Sequence, residues 1–198
     1  MALALSAEKK MDRRLLLASA SERRRKILAG LGVGFEVAIP EVEEIVMDGD
    51  PRGTAAANAA RKMEWCRTRY RGRYVITADT LVDLDGQIVG KPSSLEDAAI
   101  MLRAFSGRPQ NVLTAVGFAT PDARPEIEVV VSTVVFKTLS DKTIRKYFAR
   151  VNPMDKAGAY DIDQCGELLI RSFEGSRSNI MGLPRETVRT WLIRVGLL

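Results

Sequence analysis

Two apolar runs on either side of an Asp-Gly pair constrain the fold of this 198-residue chain most strongly. The runs span residues 74–82 and 87–92, and Asp85–Gly86 between them predicts a β-hairpin whose turn residues have positive φ. Asp79 interrupts the first run, so its carboxylate would lose hydration inside a strand and needs a cationic or hydrogen-bonding partner. The alternative is that Asp79 lies at a strand end and its carboxylate caps a neighbouring backbone amide. Lys91 supplies a cation just after the hairpin, which favours a site.

Composition indicates a globular protein, and the N-terminal segment leads us to expect it in the cytoplasm. Hydrophobic residues make up 46% of the chain and charged residues 28%. No apolar run approaches the ~20 residues that span a bilayer, and residues 1–14 lack the order of a secretory signal peptide. We therefore expect residues 1–14 to form a flexible tail and residues 15–198 to form a single domain, without a membrane partner.

The sequence contains no histidine, and this restricts its chemistry. Ser-His and Cys-His nucleophiles are excluded, as are most transition-metal sites. Catalysis would depend on carboxylates, lysines and arginines, and the metals that suit oxygen ligands are Mg²⁺ and Mn²⁺. The net charge of +5 fits an anionic ligand or a nucleic acid equally well. Cys66 and Cys165 form no Cys-x-x-Cys pair and indicate neither a disulfide framework nor a zinc site.

A short apolar run followed by a basic helix start predicts an anion site near the N-terminus. Residues 15–18 predict a strand, and Ser21 is suited to cap the helix that follows. The basic residues 23–26 then occupy the helix start, where the helix dipole disfavours cations. Free backbone amides, the hydroxyls of Ser19 and Ser21, and arginines favour a phosphate here. A solvated basic face or a nucleic-acid patch is the alternative.

The rest of the chain alternates between predicted strands and helices. We expect strands at 35–39, 111–119 and 126–136, and helices at 54–69, 95–105, 139–150 and from 185 onward. Ser94 and Ser140 are the expected caps of two of these helices. The acidic residues among 41–44 follow the second strand and supply carboxylates that a divalent cation would need.

Seven short motifs occur along the chain. They are Ser-Ala-Ser-Glu-Arg-Arg at 19–24, Asn-Ala-Ala-Arg-Lys at 58–62, Ala-Asp-Thr at 78–80, Lys-Pro at 91–92, Ser-Gly-Arg at 106–108, Asp-Lys-Ala-Gly-Ala-Tyr at 155–160 and Gly-Leu-Pro at 182–184. Together, and in this order, they resemble the motifs of the Maf family of nucleotide pyrophosphatases, with Glu22 where the family has proline. The likeness covers residues 15–198, and residues 155–160 are its most specific part.

The resemblance implies an elongated mixed α/β fold, in which a twisted mixed sheet is flanked by helices and two lobes enclose a deep groove, as in inosine triphosphatases. It also implies a house-cleaning hydrolase that converts a nucleoside triphosphate to the monophosphate and pyrophosphate. A divalent cation, Mg²⁺ or Mn²⁺, would be its cofactor, and a homodimer its assembly. The nucleoside triphosphate is then the expected partner, and nucleic acid is not.

The resemblance further implies roles for individual residues. Asp79 would be the catalytic general base and, with Glu44, a metal ligand. Arg23, Thr80 and Asp163 fall at positions that distinguish bases among the branches of the family. The contacts to substrate and phosphate would be made by Ser19, Ser21, Arg23, Arg24, Lys62, Lys91, Asp155 and Lys156.

The segment after Ala159–Tyr160 leaves the base preference open. The branch of the family that acts on thymidine and uridine triphosphates reads Gly-Ile-Gln-Gly there, whereas this chain reads Asp-Ile-Asp-Gln. Asp163 thus replaces an amide by an acceptor-only carboxylate, so that either Gln164 takes the place of the amide or the preferred base differs. Lys156 argues against the 7-methylguanosine branch, in which a cysteine is usual. We expect dTTP, UTP or a modified pyrimidine nucleotide as substrate.

Two functions without turnover are the alternatives. The basic runs 23–26 and 67–73 would suit a nucleic-acid-binding protein. The family's association with inhibition of septum formation would suit a regulator of cell division that acts through a protein partner. Few aromatic residues are available for stacking on bases, and neither alternative explains carboxylates and lysines at the spacing of the family. The sequence therefore favours the hydrolase.

Overall fold

The computed structural model describes residues 15–198, and the tail predicted at residues 1–14 lies outside the described residues. Its strands are β1 (Leu15–Ala18), β2 (Glu36–Ala38), β3 (Tyr74–Leu84), β4 (Gln87–Val89), β5 (Pro109–Ala119), β6 (Glu126–Phe136) and β7 (Ile170–Glu174). Its helices are α1 (Glu22–Ala29), α2 (Pro51–Arg69), α3 (Leu95–Phe105), α4 (Asp141–Phe148), α5 (Arg177–Ile180) and α6 (Arg185–Arg194), with single 3-10 turns at Ala157–Ala159 and Gly166–Leu168.

Strand β3 lies at the centre of a mixed sheet. The strand order is β2-β1-β3-β5-β6-β7, and β4 also pairs with β3. Strand β1 is parallel to β2 and β3, whereas β3 is antiparallel to β4 and β5, and β6 is antiparallel to β5 and β7. Helices flank this sheet, so the architecture confirms the mixed α/β fold class expected from the sequence.

One edge of β3 is shared between two shorter strands. Strand β1 pairs with residues 74–77 and β4 with residues 82–84, so that no strand of the described part of the chain pairs with residues 78–81 on this edge. On the other edge β5 pairs with β3 without a break from Val75 to Asp83. Asp79 and Thr80 therefore lie at an opening in the sheet, beside the point where β1 ends and the chain turns into α1.

The turn between β3 and β4 has the form that the sequence predicts. The φ angles of Asp85 and Gly86 are 54° and 85°, and the Gly86 amide donates to Asp83 Oδ1 at 2.7 Å. Two successive residues with positive φ match the twist of the flanking strands. The predicted hairpin is confirmed, and it directs the residues after β4 back towards the opening.

The two faces of the sheet carry separate hydrophobic clusters. Successive residues of a strand point to opposite faces, so Leu15 and Leu17 pack with α1 and α6 while Leu16 packs with α2. At the other end of the sheet, Phe105 of α3 and Tyr147 of α4 are fully buried beside residues of β5 and β6. Because helices cover both faces of the sheet, the strands β1 and most of β5 are apolar.

Two elements have no prediction from the sequence, and the ends of others differ from the prediction. The sequence pattern predicts neither β7, whose side chains are mostly exposed, nor the four-residue helix α5. Helix α2 begins at Pro51, earlier than predicted, because Asp50 Oδ1 caps it by accepting from the Gly53 amide at 2.7 Å. Helix α4 ends at Phe148 rather than at residue 150. Across residues 15–198, each helix is too short or too polar to cross a membrane.

Candidate active site

A cavity of about 670 Å³ lies at the opening in the sheet. This volume is within the usual range of small-molecule sites. Its ionisable lining residues are Arg23, Arg24, Lys26, Lys62, Lys91, Lys156, Glu22, Glu44, Asp79, Asp155 and Asp161. Ser21, Thr80, Tyr160, Gln164 and Gly182 also line it. The structure therefore brings all the site residues expected from the sequence to one cavity, except Ser19 and Asp163.

Asp79 is held by a lysine that also binds a second carboxylate. The Asp79 side chain is 5% exposed, and Lys62 Nζ donates to its Oδ1 at 2.6 Å. The same ammonium donates to Glu44 Oε1 at 2.7 Å. Lys62 is itself 12% exposed. The carboxylate inside β3 thus has the cationic partner that its burial requires. Within residues 15–198, its hydrogen bonds join it to side chains rather than to a backbone amide.

Helix α2 fixes the segment that carries Glu44. Asn58 and Lys62 are four residues apart on α2 and share one face of it. Asn58 binds the backbone of Ile45 twice, with Nδ2 donating to the carbonyl at 3.0 Å and Oδ1 accepting from the amide at 2.9 Å. Its Nδ2 also lies 3.5 Å from Asp79 Oδ2. One helix face therefore holds both carboxylates of the cluster.

The surrounding cations favour the ionised form of Glu44. Its partial burial opposes ionisation, but the hydrogen bond and the charge of Lys62 outweigh that effect, with smaller contributions from Lys91 and Arg24. The pKa of Glu44 is therefore below its ordinary value. At neutral pH this side chain is an oxygen ligand available for a cation.

Arg24 connects α1 to β3 and to the loop after α5. Its guanidinium donates to the carbonyl of Ala78 at 3.0 Å, to the carbonyl of Gly182 at 2.8 Å and to Thr80 Oγ1 at 2.9 Å. These partners are neutral, and within residues 15–198 Arg24 forms no ion pair. Burial lowers the pKa of Arg24, an effect that the charge of Asp79 opposes. A half-buried guanidinium with neutral partners is well placed to receive an anion.

Two serines before α1 organise this end of the cavity. Ser21 caps α1, since its Oγ accepts from the Arg24 amide at 3.4 Å. Ser19 Oγ accepts from the Ser21 amide and from Arg24 Nη1, both at 3.2 Å. Ser19 is buried and is not part of the cavity wall. In the structure Ser19 therefore lies behind the cavity wall and supports Arg24.

Two further lysines reach the cavity from segments that are bonded to each other. The Gly158 amide donates to the Gly90 carbonyl at 2.9 Å, which joins the neighbours of Lys91 to those of Lys156. Lys156 is 5% exposed, and its Nζ donates to Asp155 Oδ1 at 2.6 Å. Partial burial opposes the ionisation of Asp155, but the hydrogen bond and the charge of Lys156 overcome it, so the pKa of Asp155 is lowered.

Arg23 and Thr80, which fall at the predicted specificity positions, both line the cavity. Thr80 Oγ1 accepts from Arg24 Nη2 at 2.9 Å and lies 3.0 Å from the Thr114 hydroxyl, so its position is fixed. Arg23 Nη1 donates to Asp161 Oδ2 at 2.9 Å, while 39% of the Arg23 side chain stays exposed. Arg23 therefore retains N–H groups that a ligand can contact.

Asp163 does not face the cavity. Its Oδ1 accepts from Arg177 Nη2 at 2.6 Å and from Arg177 Nε at 3.1 Å, and it is not part of the wall. Gln164 lines the cavity instead, with its Nε2 donating to Asp161 Oδ2 at 3.1 Å. The amide at this part of the cavity is therefore that of Gln164, and the carboxylate of Asp163 lies outside it.

No role is predicted from the sequence for Asn58, Asp161 or Gly182. Asn58 precedes Lys62 by about one helical turn, and this spacing is a signal that could identify it. Gly182 has a φ of 103°, and a Cβ there would lie 3.3 Å from Thr80 Oγ1, so glycine allows the close approach to its carbonyl. Asp161 carries no spacing signal, because its partners are distant in sequence or lie in the same loop.

Two carboxylates, Glu44 and Asp79, flank Lys62 in the cavity. Within residues 15–198, no group of three or more Asp, Glu, His or Cys side chains could hold a metal ion. Glu44 Oε1 and Asp79 Oδ1 each lie within 2.7 Å of Lys62 Nζ, so the ammonium already occupies the position on which these two oxygens converge. Two carboxylates are a usual protein contribution to a Mg²⁺ shell that substrate phosphates and waters complete.

Solved structures of low sequence identity share this fold. The Staphylococcus aureus Ham1 protein matches with a TM-score of 0.55 at 12% identity, over 91% of this chain and 98% of that chain. A HAM1 protein from Coxiella burnetii matches with a TM-score of 0.54 at 14% identity, over 92% of this chain and 99% of that chain. These matches define the class of fold.

The chain belongs to the Maf family. The family described as Maf-like protein matches residues 14–195, which confirms the resemblance of the motifs. A dTTP/UTP pyrophosphatase of Dictyoglomus thermophilum is 39% identical, over 94% of this chain and 98% of the relative. Proteins of the same name from Geotalea uraniireducens and Thermotoga maritima are 40% and 37% identical, over 92% of this chain and 95% and 90% of their own lengths.

Proposed function

We propose that the protein hydrolyses a nucleoside triphosphate, dTTP or UTP, to the nucleoside monophosphate and pyrophosphate, with residues 15–198 acting as one catalytic domain. The observation that carries this proposal is the cluster of Asp79, Lys62 and Glu44 in a cavity that six basic side chains line. The relatives named dTTP/UTP pyrophosphatase support the reaction and the pyrimidine substrate.

Asp79 is the proposed general base. A water molecule attacks the α-phosphorus, the bond between this phosphorus and the oxygen that bridges to the β-phosphate breaks, and pyrophosphate leaves. Asp79 accepts the proton that the attacking water loses. Lys62 holds Oδ1 at 2.6 Å, whereas Asn58 lies 3.5 Å from Oδ2, so Oδ2 is the less engaged oxygen. General-base catalysis contributes about 10²–10⁴-fold to a rate.

Neutralisation of the departing pyrophosphate is the larger electrostatic contribution in this proposal. Arg24 meets only neutral oxygens within the described chain, so its charge is not paired there and attracts a phosphate. Lys91 and Lys156 line the same cavity. Lys62 stands between Asp79 and Glu44 and can also donate to a phosphate oxygen, because an ammonium has three donors and two are used here.

The carboxylates of Glu44 and Asp79 would hold the divalent cation, Mg²⁺ or Mn²⁺, together with phosphate oxygens. When bound, such a cation lowers the pKa of a bound water and neutralises phosphate charge. The lowered pKa of Glu44 is consistent with this use, since a ligand must be deprotonated.

Product analysis with an Asp79→Asn variant tests the proposal. We expect wild-type protein with Mg²⁺ and UTP or dTTP to release monophosphate and pyrophosphate, and Asp79→Asn to lower kcat by about 10²-fold or more because the base is lost. Asp85→Asn is the matched control, since Asp85 lies in the hairpin turn, where asparagine tolerates a positive φ. Diphosphate and phosphate as products, or near-normal kcat in Asp79→Asn, would refute the mechanism.

The alternative of a nucleic-acid interface receives little support from the second basic run. Arg69 stacks over the Trp65 ring at 4.4 Å from its centroid, and Arg73 pairs with Glu36 at 3.0 Å. These two cations serve contacts within the protein. The other basic run includes Arg24, which points into the cavity.

A further inference from the structure

Asp161 is a buried carboxylate in the cavity wall, and the proposed chemistry assigns it no part. It is 3% exposed, and its backbone amide donates to the Tyr147 hydroxyl at 2.8 Å. Its Oδ1 accepts from the Asp163 amide at 2.9 Å. Its Oδ2 accepts from Arg23 Nη1 at 2.9 Å and from Gln164 Nε2 at 3.1 Å. These donors compensate the buried charge and hold the carboxylate in place.

The contact with Asp161 determines which end of the Gln164 amide faces the cavity. A carboxylate paired with arginine only accepts hydrogen bonds, so Gln164 must turn its nitrogen towards Asp161. Gln164 is exposed and lines the cavity, and its Oε1 has no hydrogen-bond partner within residues 15–198. Gln164 therefore presents a hydrogen-bond acceptor to a ligand.

Arg23 places donors beside that acceptor, because the same oxygen of Asp161 binds both side chains. A guanidinium has five N–H donors, and the partly exposed Arg23 uses one of them on Asp161. An acceptor beside donors complements a base edge in which an N–H lies next to carbonyl oxygens. Uracil and thymine have this imide edge, whereas cytosine has an acceptor nitrogen in place of the N–H.

We propose that Asp161 is a positioning residue that orients Gln164 and Arg23 to recognise the imide of uracil or thymine. The inference rests on the proposed function and deepens it, because it assigns the selection of the base to Asp161 and Gln164 rather than to Asp163. A buried acid is required, since a neutral side chain would not restrict the amide of Gln164 to one orientation.

The ratio of kcat/KM for UTP to kcat/KM for CTP tests this proposal, because the two substrates share their ribose and triphosphate. In Asp161→Asn the new amide can donate to Gln164 Oε1, so the amide of Gln164 can turn its nitrogen to the cavity. We expect this ratio to fall at least about tenfold in Asp161→Asn and in Gln164→Leu. In the double variant the ratio should fall no further than in the single variant with the lower ratio, because the two residues act together. A general loss of folded protein would lower both kcat/KM values and leave the ratio unchanged.

Asp163→Asn is the matched control, since it makes the same change in a side chain bonded to Arg177. An unchanged ratio in Asp161→Asn, effects that multiply in the double variant, or a shifted ratio in Asp163→Asn alone would overturn the proposal. If the wild-type protein hydrolyses no triphosphate, the proposed function fails separately. Calorimetric binding of UMP and CMP then makes the same comparison: equal wild-type affinities overturn the inference, and a preference for UMP that Asp161→Asn removes supports it.

Discussion

Lys62 forms ion pairs with two carboxylates that are distant from it in sequence. It lies in an Ala-rich helix, where a lysine is ordinarily a surface residue, and only its motif distinguishes it. In the folded chain its ammonium is within 2.7 Å of both Glu44 and Asp79. Removal of one partner from a buried ion pair lowers the stability of the fold, because the other charge is left uncompensated. The cluster therefore constrains β3, α2 and the segment after β2 together.

Two adjacent arginines of α1 offer a direct comparison. Arg24→Met should lower kcat/KM for UTP by about 10²-fold or more, because it removes donors to the triphosphate and the link between α1 and β3. Arg25→Met should change kcat/KM by less than about threefold, since Arg25 is exposed and pairs with Glu22 on the helix surface. Steady-state kinetics of both variants measure this difference. Equal losses would show that general positive charge, rather than the placement of Arg24, binds the substrate.

At the scale of elements, the strands and helices with strong apolar patterns could be predicted and the exposed ones could not. The hairpin of β3 and β4 carries a turn signal, and β5 and β6 are long apolar strands. Strand β7 is at the edge of the sheet with most of its side chains exposed, so it has no alternating pattern. Helix α5 has four residues, too few to show a helical period.

The candidate site could be predicted in part for the same reason. Residues within motifs, such as Asp79 and Lys156, carry signals in the sequence. The placement of Asp163 away from the cavity depends on Arg177, which belongs to α5, an element with no pattern of its own. The burial of Asp161, a loop residue, depends on Tyr147 of α4 and Arg23 of α1. Contacts of this kind arise only when the elements pack.

The packing of α2 against the sheet requires a glycine in β5. A Cβ at Gly117 would clash with Thr77 Oγ1, and it would lie 2.9 Å from Ile127 Cδ1 and 3.3 Å from Met63 Cε of α2. We expect Gly117→Ala to destabilise the fold by about 1–3 kcal/mol. Thermal unfolding should show this as a lower Tm. Gly90→Ala is the control, because a Cβ there meets no atom within 4 Å, and a similar Tm loss in both variants would contradict the packing argument.

Glu186, at the start of α6, makes part of the stability of the fold depend on pH. The pKa of Glu186 is lowered chiefly by a hydrogen bond from its own backbone amide, while partial burial opposes this shift. The hydroxyls of Ser176 and Ser178 lower the pKa further. A lowered pKa in the folded state means that this stabilisation is present above the unfolded pKa, near 4.3, and is lost as the pH falls through the folded value. Glu186→Gln should therefore lower Tm at pH 7 by at most about 3 °C and have a smaller effect near pH 3. An equal effect at both pH values would exclude this charge contribution.

At the scale of the whole molecule, the break in one edge of β3 connects the fold with the proposed chemistry. The parallel strands β1 and β2 end beside it, α1 begins there, and the hairpin returns the chain to it. Backbone groups that a complete sheet would use are bonded to Arg24 instead, as the Ala78 carbonyl shows. The irregular part of the sheet is thus where the cations and carboxylates converge, at the C-terminal end of parallel strands where α/β folds bind ligands.

Hydrolysis of UTP in water enriched in ¹⁸O tests the central proposal most directly, because it identifies the phosphorus that the water attacks. Attack at the α-phosphorus should place one ¹⁸O in UMP and none in pyrophosphate, as read by mass spectrometry of the two products after a single turnover. Label in pyrophosphate, with unlabelled UMP, would show attack at the β-phosphorus and contradict the roles proposed for Asp79, Lys62 and the cations around them.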